Sequence, residues 1–310
     1  MSRGKILIVD DLHPAFKLAA EDLGFEVHDR PLIKKEEVLE ILPNYIGLAI
    51  RTKFRVDQQV MEAAPNLKFV ARAGAGMDNI DVAIADKKNI QLINAPEGNS
   101  DAVGEHATGL LLSLMNNFRK ADIEIRNGIW DREGNRGYEL KGKTVGIIGY
   151  GHMGKSFAKK LKGFEVNVLA YDKYKTGFSD DFAKEVSMEE MVKQVDVLSL
   201  HIPLTKETKQ MVNDEYLLHF KRPIFFLNTA RGEIVNTKSV LKRIKTGKIL
   251  GAGLDVLEVE KFPNLGDIDF YQDLIAEQKL ILTPHVGGWT FDSYRKISEV
   301  LAGKLKFLEI

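Results

Sequence analysis

The chain has no cysteine. That absence excludes disulfides, thiolate catalysis and cysteine-ligated metals. It also has no net charge, because 44 basic residues meet 44 acidic ones. Nothing at whole-chain level therefore draws it to nucleic acid or to an anionic membrane. The basic runs Lys159-Lys160 and Lys242-Arg243 carry no interleaved aromatics for stacking bases, so they read as solvated helix faces. No stretch reaches the roughly 18 apolar residues of a membrane span. The segment from Met1 to Asp10 enters a strand pattern at once, without a signal peptide's long apolar core. The expectation is a cytoplasmic protein with neither nucleic acid nor membrane as partner. The histidines show no pair spacing that suits an ion, and His106 directly follows Glu105, an arrangement that does not converge on one side of a helix. No catalytic metal is expected.

What is present is a glycine loop in a specific setting. Thr144 to Ile148 reads as a buried strand, Gly149, Gly151 and Gly154 stand in G-x-G-x-x-G order, and Lys155 to Leu161 reads as the following helix. The first glycine makes a tight turn, the second admits backbone to a pyrophosphate, and the third lets helix and strand pack closely. The helix N-terminus offers N–H groups to phosphate. The next apolar run, from Val166, ends at Asp172. A carboxylate there accepts the ribose hydroxyls of NAD and repels the extra phosphate of NADP. The pattern points to a dinucleotide, and to NAD.

The whole chain alternates strands and helices, the rhythm of parallel sheets covered by helices. In the first third, Lys5–Val9, Phe25–His28, Gly47–Ile50, Lys68–Ala71 and Gln91–Asn94 read as strands, with helices over Phe16–Leu23, Lys35–Leu42 and Val56–Ala64. This part lacks the glycine signature and is assigned no nucleotide. A second series has strands at Thr144–Ile148, Glu165–Ala170, Val195–Leu200, Ile224–Asn228, Gly251–Asp255 and Leu280–Thr283. Between the two, Asp101–Phe118 reads as a long buried helix, and Phe291–Phe307 forms a final one. Periodicity does not say which series the final helix joins. The fold class is α/β, with two domains of Rossmann or flavodoxin-like type, parallel sheets and flanking helices.

Ligands of open parallel sheets bind beyond the carboxyl ends of the strands, and several polar residues map there. Arg231, in Asn228-Thr-Ala-Arg-Gly232, suits a carboxylate or a polarised carbonyl; an interdomain salt bridge is the alternative. Glu258 and Glu260 follow the strand ending at Asp255, and one of them would hold a histidine in the right tautomer. For Glu258, simple surface charge is the expectation. His285 lies on a glycine-containing loop after an apolar strand, a position for an acid/base group. His201 ends a strand and either lines the nicotinamide pocket or caps the turn before Pro203. In the first third, Arg51, Lys53 and Arg72 end strands beside Gly74 and Gly76, whose amides suit an anion. Pairing of Arg51 and Arg72 with Asp78 and Asp81 is the alternative.

These residues together resemble the D-isomer-specific 2-hydroxyacid dehydrogenase family over essentially the whole chain. The match rests on Ala73-Gly-Ala-Gly-Met-Asp-Asn-Ile-Asp81, Asn94-Ala-Pro96, Asn99, the Gly149 loop, His201-Ile-Pro-Leu-Thr205, Asn228–Gly232, Leu254-Asp-Val256 with Glu260, and Pro284-His-Val-Gly287. The resemblance implies a catalytic trio of Arg231, Glu260 and His285, with hydride exchange between C2 of a D-2-hydroxy acid and the nicotinamide. Arg231 would bind the carboxylate and polarise the C2 oxygen, His285 would exchange the hydroxyl proton, and Glu260 would orient His285. The cofactor set it implies is Gly149, Gly151, His152, Met153, Gly154, Asp172, His201, Pro203, Thr208, Thr229, Ala230, Asp255 and Gly287. The substrate set is Arg51, Lys53, Arg72, Ala73, Gly74, Ala75, Gly76 and Asn99.

The family fold further implies a substrate domain of residues 1–98 plus 286–310, an NAD domain of 99–285, and a homodimer formed through the NAD domains. Ending at Ile310, the chain is expected to lack a serine-sensing regulatory domain. It departs from the family pattern at Lys261, where a proline is usual, at Ala102, where serine is common, and at Trp289, where many relatives carry a small residue. The substrate placed first is 3-phospho-D-glycerate, oxidised to 3-phosphohydroxypyruvate for serine synthesis, because Arg51, Lys53 and Arg72 resemble the basic positions around the phosphate in family members that act on it, and each would add a charge-assisted contact. Glyoxylate or hydroxypyruvate reduction and D-lactate oxidation are the enzymatic alternatives, and an NAD-binding corepressor the non-enzymatic one.

Overall fold

The computed structural model describes residues 3–261 and 263–309. The chain divides into two compact units, Met1–Asn99 with Trp289–Ile310, and Ser100–Gly288. The divisions fall one residue after the expected first boundary and three residues after the second. The first lies inside the helix Pro96–Met115.

In the first unit the strands are β1 (Lys5–Ile8), β2 (Glu26–Asp29), β3 (Gly47–Ile50), β4 (Phe69–Arg72) and β5 (Gln91–Asn94). They form one parallel sheet in the order β2-β1-β3-β4-β5. Successive side chains leave opposite faces of a strand, and here both faces are buried. Leu7, Leu48, Ile50 and Val70 join one apolar layer, while Ile6, Ile8, Ala49, Phe69 and Ala71 join the other. The second layer also holds Phe16, Ala20, Ile297, Leu301 and Leu305. The final helix, Phe291–Leu305, therefore belongs to this unit. Cover on both faces explains why its inner strands β1, β3 and β4 read as apolar runs.

The second unit contains β6 (Thr144–Ile148), β7 (Asn167–Tyr171), β8 (Lys184–Glu185), β9 (Val197–Leu200), β10 (Ile224–Asn228), β11 (Ile249–Leu254) and β12 (Leu280–Leu282). Its parallel sheet runs β12-β11-β10-β9-β6-β7-β8. This is a doubly wound sheet, whose order reverses between β6 and β9. Such a reversal opens a crevice at the carboxyl ends of the strands. Leu198, Leu200, Phe226 and Leu254 fill one face, and Val145, Ile147, Val197, Phe225 and Leu227 the other.

The elements differ from expectation mainly at their ends. β7 starts at Asn167 rather than Glu165, because Glu165 takes a left-handed φ of 55° that no strand accommodates. The long helix starts at Pro96, where a missing N–H costs nothing, and ends at Met115. Asn117 is left-handed with φ 53°, and a separate helix, Phe118–Arg126, begins after it. The helix expected over Val56–Ala64 shortens to Gln58–Glu62, capped by the Asp57 carboxylate on the Val60 amide at 3.1 Å. The short edge strand β8 has no apolar run to announce it. No helix among the described residues is long and apolar enough to cross a membrane.

Candidate active site

The three glycines after β6 divide their tasks. Gly149 adopts φ 92°, and a Cβ there would lie 2.5 Å from the His201 carbonyl oxygen. A Cβ on Gly154 would drive into the Gly149 carbonyl. Around Gly151, which caps the helix His152–Leu161, no heavy atom lies within 4 Å of the Cβ position. The middle glycine thus faces open space beside the first amides of a helix, with His152 and Met153 as its first residues. That is the cradle a pyrophosphate requires.

Asp172, just past β7, braces this loop. Its Oδ2 accepts the Tyr150 amide at 2.9 Å and its Oδ1 the Tyr174 amide at 3.0 Å. Each oxygen keeps a lone pair for a ribose hydroxyl. Tyr150 in turn donates its hydroxyl to Asp180 at 2.8 Å, and Lys155 pairs with the same carboxylate at 2.9 Å. Burial pushes the Asp180 carboxyl up, but these bonds and the Phe182 amide outweigh it and bring the group down to about 2. The Tyr150–Asp180 link escapes sequence reasoning, because nothing local couples the two.

His201 follows β9 as expected, but its imidazole turns inward. Nε2 lies 2.9 Å from the buried Ser199 hydroxyl, and the ring packs 5.5 Å from Phe157. Burial pushes its pKa down to about 3, so the ring is neutral. Its carbonyl, rather than its ring, forms the floor under Gly149. Thr208 braces the same loop, donating to the Pro203 carbonyl at 2.7 Å and accepting the Thr205 amide at 2.8 Å. Thr229, after β10, holds a buried hydroxyl without a hydrogen-bond partner.

Beyond β10 and β11 lie the charged groups. The side chain of Asn228, fully buried, accepts the Ala230 amide at 3.0 Å and donates to the Arg231 carbonyl at 3.0 Å. Arg231 is folded back so that Nη1 donates to the Ala230 carbonyl at 2.6 Å. His285 Nδ1 lies 2.9 Å from Glu260 Oε2. The Glu260 bond raises the imidazole pKa above its usual value against the opposing effects of burial and of the Arg231 charge. His285 is left-handed, with φ 54°, a cost of about 1–2 kcal/mol for a residue with a Cβ. Its amide is held by the Asp255 carbonyl at 2.7 Å and the Thr283 carbonyl at 3.0 Å.

Asp255 anchors this loop. Its carboxylate, 2% exposed, accepts the Thr283 hydroxyl at 2.6 Å and the amides of Val286 at 3.0 Å and Gly287 at 2.8 Å. His106 Nε2 stands 3.4 Å away. A side chain at Gly287 would collide with Asp255 and the His106 ring. Asp255 was expected among the cofactor contacts; its oxygens serve the chain. Neither Thr283 nor His106 was singled out as its partner. Glu258 is not loose surface charge: it accepts Gln210 Nε2 at 2.7 Å and the Thr237 amide at 3.3 Å, tying down a helix start.

In the first unit, Asp10 was also missed. Its Oδ2 accepts the amides of Arg51, Thr52 and Lys53 at 3.0, 2.8 and 2.9 Å. Burial pushes the Asp10 carboxyl up, and these backbone bonds reverse the shift to leave it lowered. Lys53 Nζ donates to the Pro31 carbonyl. The Arg72 guanidinium lies against Gly74, where φ is 141° and a side chain would strike it. Its Nη1 reaches the Ala73 carbonyl at 3.5 Å, and Asn94 Nδ2 donates to Ala75 at 2.6 Å. Asn99 Oδ1 is buried without a partner.

Residues 108–287 match the model for "D-isomer specific 2-hydroxyacid dehydrogenase, NAD binding domain". The chain belongs to this family, and it is an NAD-dependent oxidoreductase. It is 34% identical over 306 residues to the hydroxypyruvate reductase of Thermotoga maritima, covering 98% of each chain. It is 34% identical over 308 residues to the D-3-phosphoglycerate dehydrogenase of Methanocaldococcus jannaschii, covering 97% of this chain and 57% of that one. The crystal structure of a glyoxylate reductase from Paecilomyes thermophila is similar to it with a TM-score of 0.87 at 25% identity, covering 99% and 95%. The glycine cradle, the Asp172 carboxylate and the orphaned Thr229 hydroxyl fit NAD.

Proposed function

We propose that Arg231, Glu260 and His285 carry out the acid–base work of interconverting a short D-2-hydroxy acid and its 2-oxo acid. The observation that carries this is the 2.9 Å contact of His285 Nδ1 with Glu260. An Nδ1–H donated to the carboxylate leaves Nε2 to take the C2 hydroxyl proton in oxidation and to return it in reduction. Glu260 stabilises the imidazolium so formed. Arg231 unfolds from the Ala230 carbonyl to hold the acid's carboxylate and polarise the C2 oxygen. The Gly149, Gly151 and Gly154 loop holds the pyrophosphate and Asp172 the ribose, while Thr229 and Ala230 line the nicotinamide end. Bound NAD supplies the acceptor for the C2 hydride.

Within this chemistry we infer a small unphosphorylated 2-oxo acid, of hydroxypyruvate or glyoxylate size. Lys53 is engaged with Pro31, and the Arg51 guanidinium lies 3.9 Å over the Trp289 ring, so neither of these cations turns freely toward a phosphate. The name of the Thermotoga maritima relative agrees with this reading. Oxidation of 3-phosphoglycerate, and with it a place in serine synthesis, is the second reading, supported by Arg72 over Gly74. Steady-state kinetics with NADH decide between them. The first reading expects kcat/KM for hydroxypyruvate or glyoxylate above that for 3-phosphohydroxypyruvate, and the reverse order overturns it.

A homodimer agrees with the exposed apolar side chains Phe118, Ile123, Ile125, Ile129 and Trp130, on and just after a helix that buries none of its residues in this chain. Light scattering of the wild type and of Ile125→Lys tests it. A monomeric wild type rejects it.

A further inference from the structure

Trp289 and Arg51 carry an inference that rests on this reading of the acid and deepens it. The Arg51 guanidinium carbon stands 3.9 Å from the centroid of the Trp289 ring, a cation–π stack. The indole is itself held on its edge. Tyr294 meets it at 5.4 Å and 77°, His13 meets Tyr294 at 5.4 Å and 78°, and the Tyr294 hydroxyl donates to Asp11 Oδ1 at 2.7 Å. Burial and the bond to Asp11 push the Tyr294 pKa up to about 12, so it stays a donor at every working pH. Trp289 immediately precedes Thr290, the cap of the final helix, whose hydroxyl accepts the Ser293 amide at 3.0 Å. The backbone that carries the indole is therefore fixed as well.

Arg51 is fixed from the other side. Its amide is bound by Asp10 at 3.0 Å, and its carbonyl accepts Asn79 Nδ2 at 3.2 Å. Within this frame the guanidinium keeps one buried donor, Nη1, with no hydrogen-bond partner. A stacked guanidinium offers only its in-plane edge. That edge can pair bidentately with a carboxylate or a phosphate, but only at the one place and angle the stack allows, so an acid carrying a distal phosphate cannot turn the cation to meet it. Trp289 is 42% exposed, so its outer surface is open to a ligand and adds bulk beside that edge.

We propose that Trp289 is a positioning residue that sets acid specificity: by stacking on Arg51 it confines that cation to one orientation and disfavours acids with a distal phosphate. The test is kcat/KM with NADH for 3-phosphohydroxypyruvate and for hydroxypyruvate in the wild type, Trp289→Ser, Trp289→Phe and Tyr294→Phe. Trp289→Ser is expected to raise the phosphorylated-to-unphosphorylated ratio by about tenfold or more, the order of one charge-assisted contact, and to do so through KM. Trp289→Phe keeps a stacking face and is expected to retain the wild-type ratio. Tyr294→Phe, which keeps a ring against the indole but frees that ring from Asp11, is expected to move the ratio in the same direction by less, and it decides the matter should the serine variant not fold. An unchanged ratio in the folded variants overturns the proposal, as does a phenylalanine variant that behaves like the serine one. A wild type that prefers the phosphorylated acid overturns the substrate reading alone, since the movement of the ratio on substitution still tests Trp289.

Discussion

The Gly287 amide donates to Asp255 Oδ2 at 2.8 Å, across 32 residues of chain. With the bonds from Val286 and Thr283, it makes one buried carboxylate the fastening of the loop that carries His285. Replacing Asp255 by Asn sets an amide donor against donors already in place, and a loss of about 2–4 kcal/mol is expected. Urea unfolding measures it; a loss below about 0.5 kcal/mol would sink the anchoring role. Burial pushes the Asp255 carboxyl up, but its hydrogen bonds more than reverse this, so its folded pKa lies below the unfolded value. Its stabilisation is therefore complete above about pH 4 and disappears as pH falls through the folded pKa. Asp255→Asn should flatten that acid limb.

In the proposed mechanism the pH dependence of turnover reports His285. Its folded pKa is raised by Glu260, so the imidazolium persists above the usual range. Reduction needs the protonated ring and should decline as pH rises through that raised value. Oxidation needs the neutral ring and should gain over the same interval. Glu260→Gln removes the largest cause of the shift, so both inflections should move to lower pH while rates fall about 10²-fold or more. His201, pushed down to about 3 by burial, contributes no inflection near neutrality. Initial rates from pH 5 to 10 provide the check, and an inflection indifferent to Glu260→Gln would remove that residue from its role.

The glycine loop separates folding from binding. Gly151→Ala adds a methyl into open space, so its melting temperature should match the wild type while NADH affinity falls by about tenfold, the loss of roughly one phosphate contact. Gly154→Ala pushes into the Gly149 carbonyl and should melt several degrees lower. Thermal melts with NADH fluorescence titrations distinguish them. Equal melting losses in both would mean that the middle glycine is also structural.

Glu258 offers a control within the same segment. Glu258→Ala abandons Gln210 and the Thr237 amide, and a loss of about 1–2 kcal/mol is expected with kcat little changed. A large fall in kcat with intact stability would instead move Glu258 into the chemistry.

Much of this protein could be read without coordinates, for a physical reason. A strand buried on both faces must be apolar throughout, so β1, β3, β6, β9 and β10 show as runs in the sequence. A phosphate cradle needs glycine at set intervals, so Gly149, Gly151 and Gly154 identify themselves, with Asp172 at the end of the next strand. Ends of elements were less legible. Left-handed Glu165 and Asn117 decide where β7 starts and where one helix gives way to the next, and neither residue type demands that conformation.

Fold class, NAD loop and family are legible in the chain alone, because they depend on local patterns of apolarity and backbone freedom. The partners of the polar groups follow from packing alone. Asp10 is bound to the amides after β3, Asp255 to the loop of His285, His201 to Ser199, and Arg51 to Trp289. Three of these four pairs lie far apart in the chain. A charged or aromatic side chain has many admissible partners, and only packing determines which one comes within 3 or 4 Å, and therefore which groups remain available to a substrate.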